Sequence, residues 1–284
     1  MEPVYLSTFS ESDIQGTQPA MKVGLLATIT PEGLSHVTLL SSLMACGPTQ
    51  LCFGQFTEGM SKQHILSNPR AGFLIMGLDK NLWSGKASYT HLAKNGVEYD
   101  YYNNVPMFRY NAYFGVHTVY YFDLIGHTGK TPLPMNKIIF AALQTMLART
   151  LGRKPGQQAV LNPWTRAFLD KIDNLKFLAY VGAEGYPVII PAIQAQSLDS
   201  SHVLFSTSVY KDELQAIPAG TTLAVFDMAL TMEDVLLRGR YLGIQRVGGI
   251  KAGVLEVSWV YSPMPPVPGQ IYPPVELKAV TQFK

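Results

Sequence analysis

From residue 23 onward, apolar and β-branched residues arrive in short runs divided by turn signals. Residues 23–30 and 34–45 form two such runs, joined by Pro31-Glu32-Gly33, a sequence that favours a tight reversal. Residues 51–56, 71–78, 82–92 and 116–125 supply four more. Between the third and fourth runs, residues 61–67 fit a short helix that stops at Asn68-Pro69, because the residue before proline avoids helical dihedrals. The pattern then recurs as strands at 175–182, 186–196, 202–208, 221–229, 234–246 and 252–262, with a short helix near 211–217.

The recurrence is also visible in residue identities. VGLLATITPEG (23–33) aligns with LKFLAYVGAEG (175–185) at a shift of 152, and LCF (51–53) falls on VLF (203–205). At a shift of 154, LWSGKAS (82–88) falls on LLRGRYL (236–242), pairing Gly85 with Gly239 and Lys86 with Arg240. Three landmarks in one order at nearly one offset imply two copies of a domain. The expected fold is mainly β, two six-stranded antiparallel barrels joined by a helical linker. The expected organisation is 1–130 for the first barrel, 131–173 for the linker, 174–262 for the second barrel and 263–284 for a proline-rich, extended tail. In the linker, Ile139, Leu143, Met146 and Leu147 recur at helical spacing, Pro134 sits near the start, and Gly152 reads as a C-cap. Asn162-Pro163 reads as an N-cap with proline at the first helical position, ahead of an apolar face of Trp164, Phe168, Leu169 and Ile172.

Composition narrows the function classes. The chain of 284 residues carries a formal charge of +2 and 15% charged residues, with no dense basic run of the kind a nucleic-acid surface needs. The start lacks a basic, then apolar, leader pattern. The apolar stretch 135–148 is shorter than the ~20 residues of a membrane span. A soluble, cytoplasmic protein is therefore expected. Cys46 and Cys52 flank CGPTQLC and read either as a redox pair across a hairpin or as two packed, reduced thiols. The six histidines show no metal-ligand spacing. No dinucleotide fingerprint, phosphate loop or nucleophile elbow is present.

Chemistry concentrates in FTEGMSKQHILSNPRAG (56–72). A strand, a polar turn and a helix start form a natural anion seat, because the first helical N–H groups are unpaired and carry partial positive charge. Thr57 and Ser61 add hydroxyls, Lys62 a compact cation and Arg70 a second cation. The bland alternative is that Ser61 caps the helix while Lys62 and Arg70 are solvated. The aromatic run 99–114 reads either as packing or as a cover over a planar ligand.

The succession LLATITPEGLSHVTLL, LCFGQFTEGMSKQHILSNPRAGFLI and LWSGKAS resembles the pyridoxamine-phosphate-oxidase-like family, the FMN-binding split barrels. The likeness covers roughly 20–126, and 175–261 more faintly. It implies that Thr57, Ser61 and Lys62 hold the FMN phosphate, that Ser41 and Ser42 lie near the flavin ring, and that Gln55 reaches the ribityl chain or ring edge. It further implies that Arg109, Tyr110 and Asn111 complete the pocket from a neighbouring barrel. Lys86 points to the phosphate or to solvent. In the second copy Ser206, Thr207, Ser208 and Lys211 persist, but Asp212 and Glu213 beside that lysine would repel a phosphate. The implied activity is a flavin-dependent oxidoreductase with a small-molecule substrate or an electron donor such as NAD(P)H, with no side chain identified as acid or base. A flavin-storage module, a haem-handling protein using His64, His91 or His117, and a deazaflavin in place of FMN remain open alternatives. So does a homodimer, since the copies can pair within one chain or with a second.

Overall fold

The computed structural model describes residues 5–57, 59–108, 115–152, 159–264 and 268–276. It divides into two units, Met1–Leu133 with Val181–Ile189, and Pro134–Tyr180 with Ile190–Lys284.

The first sheet is antiparallel. It contains β1 (Lys22–Ile29), β2 (Ser35–Leu39), β3 (Met44–Gly47), β4 (Gln50–Gln55), β5 (Arg70–Gly77), β6 (Asn81–Ala93), β7 (Thr118–His127) and β8 (Thr131–Pro132). Its spatial order is β2-β1-β5-β6-β7-β4-β3, with β8 beside β6. Helix α1 (Glu11–Thr17) precedes the sheet, α2 (Met60–Ser67) follows β4, and α3 (Val97–Asn104) lies between β6 and β7. The aromatic core includes Phe53, Phe73 and Phe122, all buried.

In the second sheet β9 (Leu175–Val181), β10 (Pro187–Pro191), β11 (Gln196–Ser197), β12 (His202–Ser206), β13 (Thr222–Met228), β14 (Asp234–Val247), β15 (Ile250–Ser262) and β16 (Gly269–Tyr272) take the order β10-β9-β13-β14-β15-β12-β11, with β16 beside β15. Helices α4 (Met135–Gly152) and α5 (Pro163–Leu169) precede it, and α6 (Lys211–Gln215) follows β12.

Each sheet thus has eight strands where six were expected. One addition in each comes from a break in the expected second strand, at residues 40–43 and again at 192–195. The other additions are β8 and, within the proline-rich tail, β16. The break has a topological cause. Strands β2 and β3 lie at opposite ends of the seven-strand path yet are joined by four residues. Four residues and their junctions reach about 17 Å, whereas the edges of a flat seven-strand sheet would stand roughly 29 Å apart. Only a curled sheet lets the connection close, so each sheet is mainly β and barrel-like.

The offset of 152 reappears in individual hydrogen bonds. Leu40 N–H donates to the Gly24 carbonyl (2.7 Å), as Ala192 does to Lys176 (2.8 Å). Leu43 closes a turn onto Leu40 (2.9 Å), as Ala195 does onto Ala192 (2.8 Å). Phe9 bonds Pro48 (2.7 Å), as Leu161 bonds Ser200 (2.8 Å). Helices α1 and α5 are shifted by the same amount, and their N-caps Ser10 and Asn162 accept from Asp13 N–H and Thr165 N–H. Gly85 and Gly239, matched from sequence, share a constraint: a Cβ there would lie 2.2 Å from the Gly126 carbonyl oxygen and 2.0 Å from that of Glu256.

Both linker helices form as expected, with one correction, at Gly152. In α4 the buried residues are Ile138, Ala141, Thr145 and Ala148, while Ile139, Leu143, Met146 and Leu147 face outward. Gly152 lies inside the last turn rather than capping it. There a Cβ would lie 2.2 Å from Val247, so glycine permits the close approach. In α5, Asn162 caps and Pro163 opens the helix as expected; Phe168 and Leu169 are buried, whereas Trp164 and, past the end of the helix, Ile172 are exposed. No helix among the described residues is long and apolar enough to cross a membrane.

The second sheet buries Asp234, whose Oδ1 has no hydrogen-bond partner. Burial pushes its pKa from 3.8 up to about 7. Folding therefore takes up a proton between those values, and stability falls as pH rises through that window. Asp234→Asn should flatten part of this slope and raise stability at pH 7 by on the order of 3 kcal/mol. Urea midpoints of both proteins at pH 4.5 and 7.5 measure it. Gly239→Ala should cost more than about 3 kcal/mol by the same assay at either pH.

Candidate functional site

Helix α2 begins after Gly59, which is extended (φ −160°) and provides no side-chain cap. Its first-turn N–H groups therefore lack the hydroxyl or carboxylate that usually satisfies them, and no acidic residue lies in that turn. Ser61 is not the cap. It sits one position inside the helix, is buried, and exchanges a hydrogen bond with the Thr38 hydroxyl on β2. The Lys62 ammonium donates to the Thr57 main-chain carbonyl, which holds its charge at the start of the helix. Thr38, Thr57, Ser61 and Lys62 are thus brought together. Thr38 was missed by sequence reasoning; its position in a strand whose neighbours alternate with it gave no signal of pairing to a residue 23 positions on.

Behind the helix, the buried face of α2 places His64 against β1 and β2. His64 Nδ1 lies 3.1 Å from the Thr28 hydroxyl, and its ring meets His36 edge-on at 5.1 Å. His91 stacks on Tyr121 with centroids 4.6 Å apart. His117 Nδ1 lies 2.8 Å from the Thr118 hydroxyl.

Other predicted positions take different places. Gln55, at the end of β4, accepts a hydrogen bond from the Tyr120 hydroxyl through Oε1 (3.0 Å), leaving its amide donors outside that bond. Ser41 is half-buried in the turn between β2 and β3. Ser42 is fully enclosed: its hydroxyl donates to the Gly54 carbonyl (2.9 Å) and accepts from Gly54 N–H (3.1 Å). Gln194, 152 positions on, donates to the Ser206 carbonyl (2.8 Å), so this position clamps the next strand in both sheets. Tyr102 of α3, also buried, donates to the Ser42 carbonyl (2.8 Å), which gives that part of the aromatic run a packing role. Arg109, Tyr110 and Asn111 lie outside the described residues. Lys86 is neither solvated nor at α2. It pairs with Glu184 (2.9 Å) and lies over the Tyr5 ring. Both cysteines are free thiols; the neighbouring Cys52 and burial push Cys46 upward, away from the reactive thiolate.

The second sheet treats the corresponding place differently. Ser206 donates to Gln144 Oε1 (2.6 Å), and its N–H donates to the Thr145 hydroxyl (3.0 Å), so α4 takes up both groups. Helix α6 has only five residues, carries Asp212 and Glu213 in its first turn, and starts from Tyr210 in the left-handed region (φ 51°).

No family model and no curated protein matches the chain. Among solved structures, an FMN-binding protein from Syntrophomonas wolfei subsp. wolfei is similar at 12% identity and TM-score 0.35, over 43% of this chain and 83% of that one. Group A Streptococcus HupZ is similar at 12% identity and TM-score 0.34, over 42% and 91%. The styrene monooxygenase flavin reductase of Pseudomonas putida S12 gives 10% and 0.27, over 39% and 81%. All three scores are below 0.5, so the fold assignment rests on the strand order itself.

Removing the Ser42 hydroxyl leaves a buried N–H and carbonyl of Gly54 without it. Ser42→Ala should therefore cost about 2 kcal/mol, whereas Ser61→Ala should change stability by less than about 1 kcal/mol. Chemical denaturation of the two variants side by side provides the comparison.

Proposed function

We propose that the first barrel binds FMN and that the protein is a flavin-dependent oxidoreductase of the pyridoxamine-phosphate-oxidase-like type, with a second copy that has lost the site. One contrast carries the reading. In the first copy the helix start gathers hydroxyls of Thr38 and Ser61 and the Lys62 ammonium, with no acid in its first turn. In the second, two acids enter that turn and the serine is taken up by α4. A phosphate dianion fits the first donor set, since hydroxyls, an ammonium and helix-start N–H groups are all donors. It does not fit the second.

In this reading Ser61 and the first-turn N–H groups of α2 receive phosphate oxygens. Thr38 fixes the Ser61 hydroxyl so that its direction is set before binding, which lowers the ordering cost. Lys62 exchanges its bond to the Thr57 carbonyl for one to phosphate. Gln55 offers its amide donors from the end of β4, oriented through Tyr120. Bound FMN would supply hydride and electron transfer, and no acid or base of the chain is assigned. The electron donor, NAD(P)H or another small molecule, and the substrate belong to the same proposal, as does a reducing, cytoplasmic setting for the thiols of Cys46 and Cys52.

Fluorescence titration of the purified protein with FMN should show saturable quenching at about one flavin per chain. Lys62→Ala should weaken it at least tenfold, in keeping with about 1.5 kcal/mol or more for a charge-assisted bond, while Lys211→Ala should leave it unchanged. Absence of saturable binding, or equal effects of the two substitutions, would refute the assignment.

A further inference from the structure

Helix α4 presents two faces of opposite logic. The inner one carries Ile138 and three small residues, Ala141, Thr145 and Ala148, against the second sheet. The outer one carries Ile139, Phe140, Leu143, Met146, Leu147 and Leu151, each between 44% and 61% exposed. At 100° per residue these six fall within one stripe of about 140°, spaced by threes and fours along the helix. The only charged residues of α4 are Lys137 and Arg149. Arg149 is paired with Asp170 off the stripe, and Lys137 falls beyond its edge. Asn136 and Thr150, both exposed, are the polar residues within the stripe; the rest of it is an apolar face turned away from the fold's interior.

The geometry points to a second copy of this chain as the occupant of the outer face. We infer that the protein dimerises by laying α4 against α4 of its partner, antiparallel, about a two-fold axis near the middle of the stripe. Three features favour this occupant. First, the stripe is self-complementary: an axis between Leu143 and Met146 sets Ile139 and Phe140 of one chain toward Leu147 and Leu151 of the other, as an isologous interface requires. Second, it offers no charge by which a charged partner would be recognised. Third, the area suffices. Six large apolar side chains about half exposed offer on the order of 100 Å² each, roughly 600 Å² per chain. Two copies then bury about 1,200 Å², the lower bound of stable specific interfaces, while roughly 600 Å² is the upper end of what a monomer leaves open. The inference does not rest on flavin binding.

Light scattering behind size exclusion, and sedimentation equilibrium between about 1 and 100 μM, test it on the full chain. The unmodified protein should be a dimer, and Leu143→Glu with Leu147→Glu should raise the dimer dissociation constant at least about a hundredfold with the circular dichroism spectrum unchanged. Should that variant fail to fold, Leu143→Gln with Leu147→Gln reads the same property without charge, with at least about a tenfold rise expected. A monomeric parent at 100 μM, which would mean that the chain's own tail or first unit covers the stripe, overturns the inference. So does a dimer that a folded variant leaves intact.

Discussion

The constraint on which the architecture turns is the short connection from β2 to β3, repeated from β10 to β11. Consecutive strands sit at opposite ends of the path, and a four-residue connection cannot bridge a flat sheet, so curling is compulsory. The connection runs inward, and its main-chain groups must find partners away from water. Leu40 and Ala192 bond back to the first strand of their own sheet. One polar side chain in each turn, Ser42 or Gln194, ties the fourth element of its barrel through Gly54 or Ser206. The same place is filled by chemically different residues doing one job, which accounts for its poor visibility as a repeat in the sequence.

Much of the fold was legible because alternation and turn residues report locally. Pro31-Glu32-Gly33, Asn68-Pro69 and Asn162-Pro163 mark boundaries that the structure keeps to within a residue or two. The break at 40–43 was not legible, because Leu40, Ser41, Ser42 and Leu43 read as one more stretch of strand. Its cause is long-range closure. Helix α1 was equally hidden: seven polar-rich residues carry little hydrophobic period, and only the Ser10–Asp13 capping box announces it. At the candidate site, Thr57, Ser61 and Lys62 were legible as a cluster because they are sequence neighbours. Thr38 was not, since its pairing with Ser61 comes from the packing of α2 on β1 and β2. Ser42 looked like a ligand-facing hydroxyl and is framework, a distinction that residue type alone cannot draw.

The two copies show what is free to change once the barrel is closed. Gly24 and Ile75 face one another across β1 and β5, and at the equivalent register of β9 and β13 stand Lys176 and Asp227, both buried. Burial lowers the lysine's affinity for its proton, opposed by the nearby Asp227 charge. Lys176 Nζ donates to the Lys171 carbonyl (2.6 Å) rather than to Asp227, and burial pushes the Asp227 carboxyl up to about 7. Two buried ionisable groups thus stand where the first copy has Gly24 and Ile75, and their desolvation costs stability. The second copy therefore carries an electrostatic expense that the first avoids. In the first copy the polar groups gather instead at the start of α2, where Ser61 pairs with Thr38 and Lys62 with the Thr57 carbonyl.

Helix α4 extends the same reasoning to the reading of amphipathic patterns. Large apolar residues usually mark the core, yet the large side chains of this helix face outward. The sheet beneath it selects for closeness rather than bulk: Gly152 abuts Val247 with no room for a methyl group, and Thr145 comes near enough to accept the Ser206 N–H. Of the buried residues of α4 only Ile138, near its start, is large; from Ala141 onward the inward residues are small, since close packing leaves no space for leucine there. The large residues of that stretch are then obliged to face away. Where both faces of a helix are apolar, the smaller side chains mark the contact within the fold, and the larger ones mark the surface that the fold leaves to be covered.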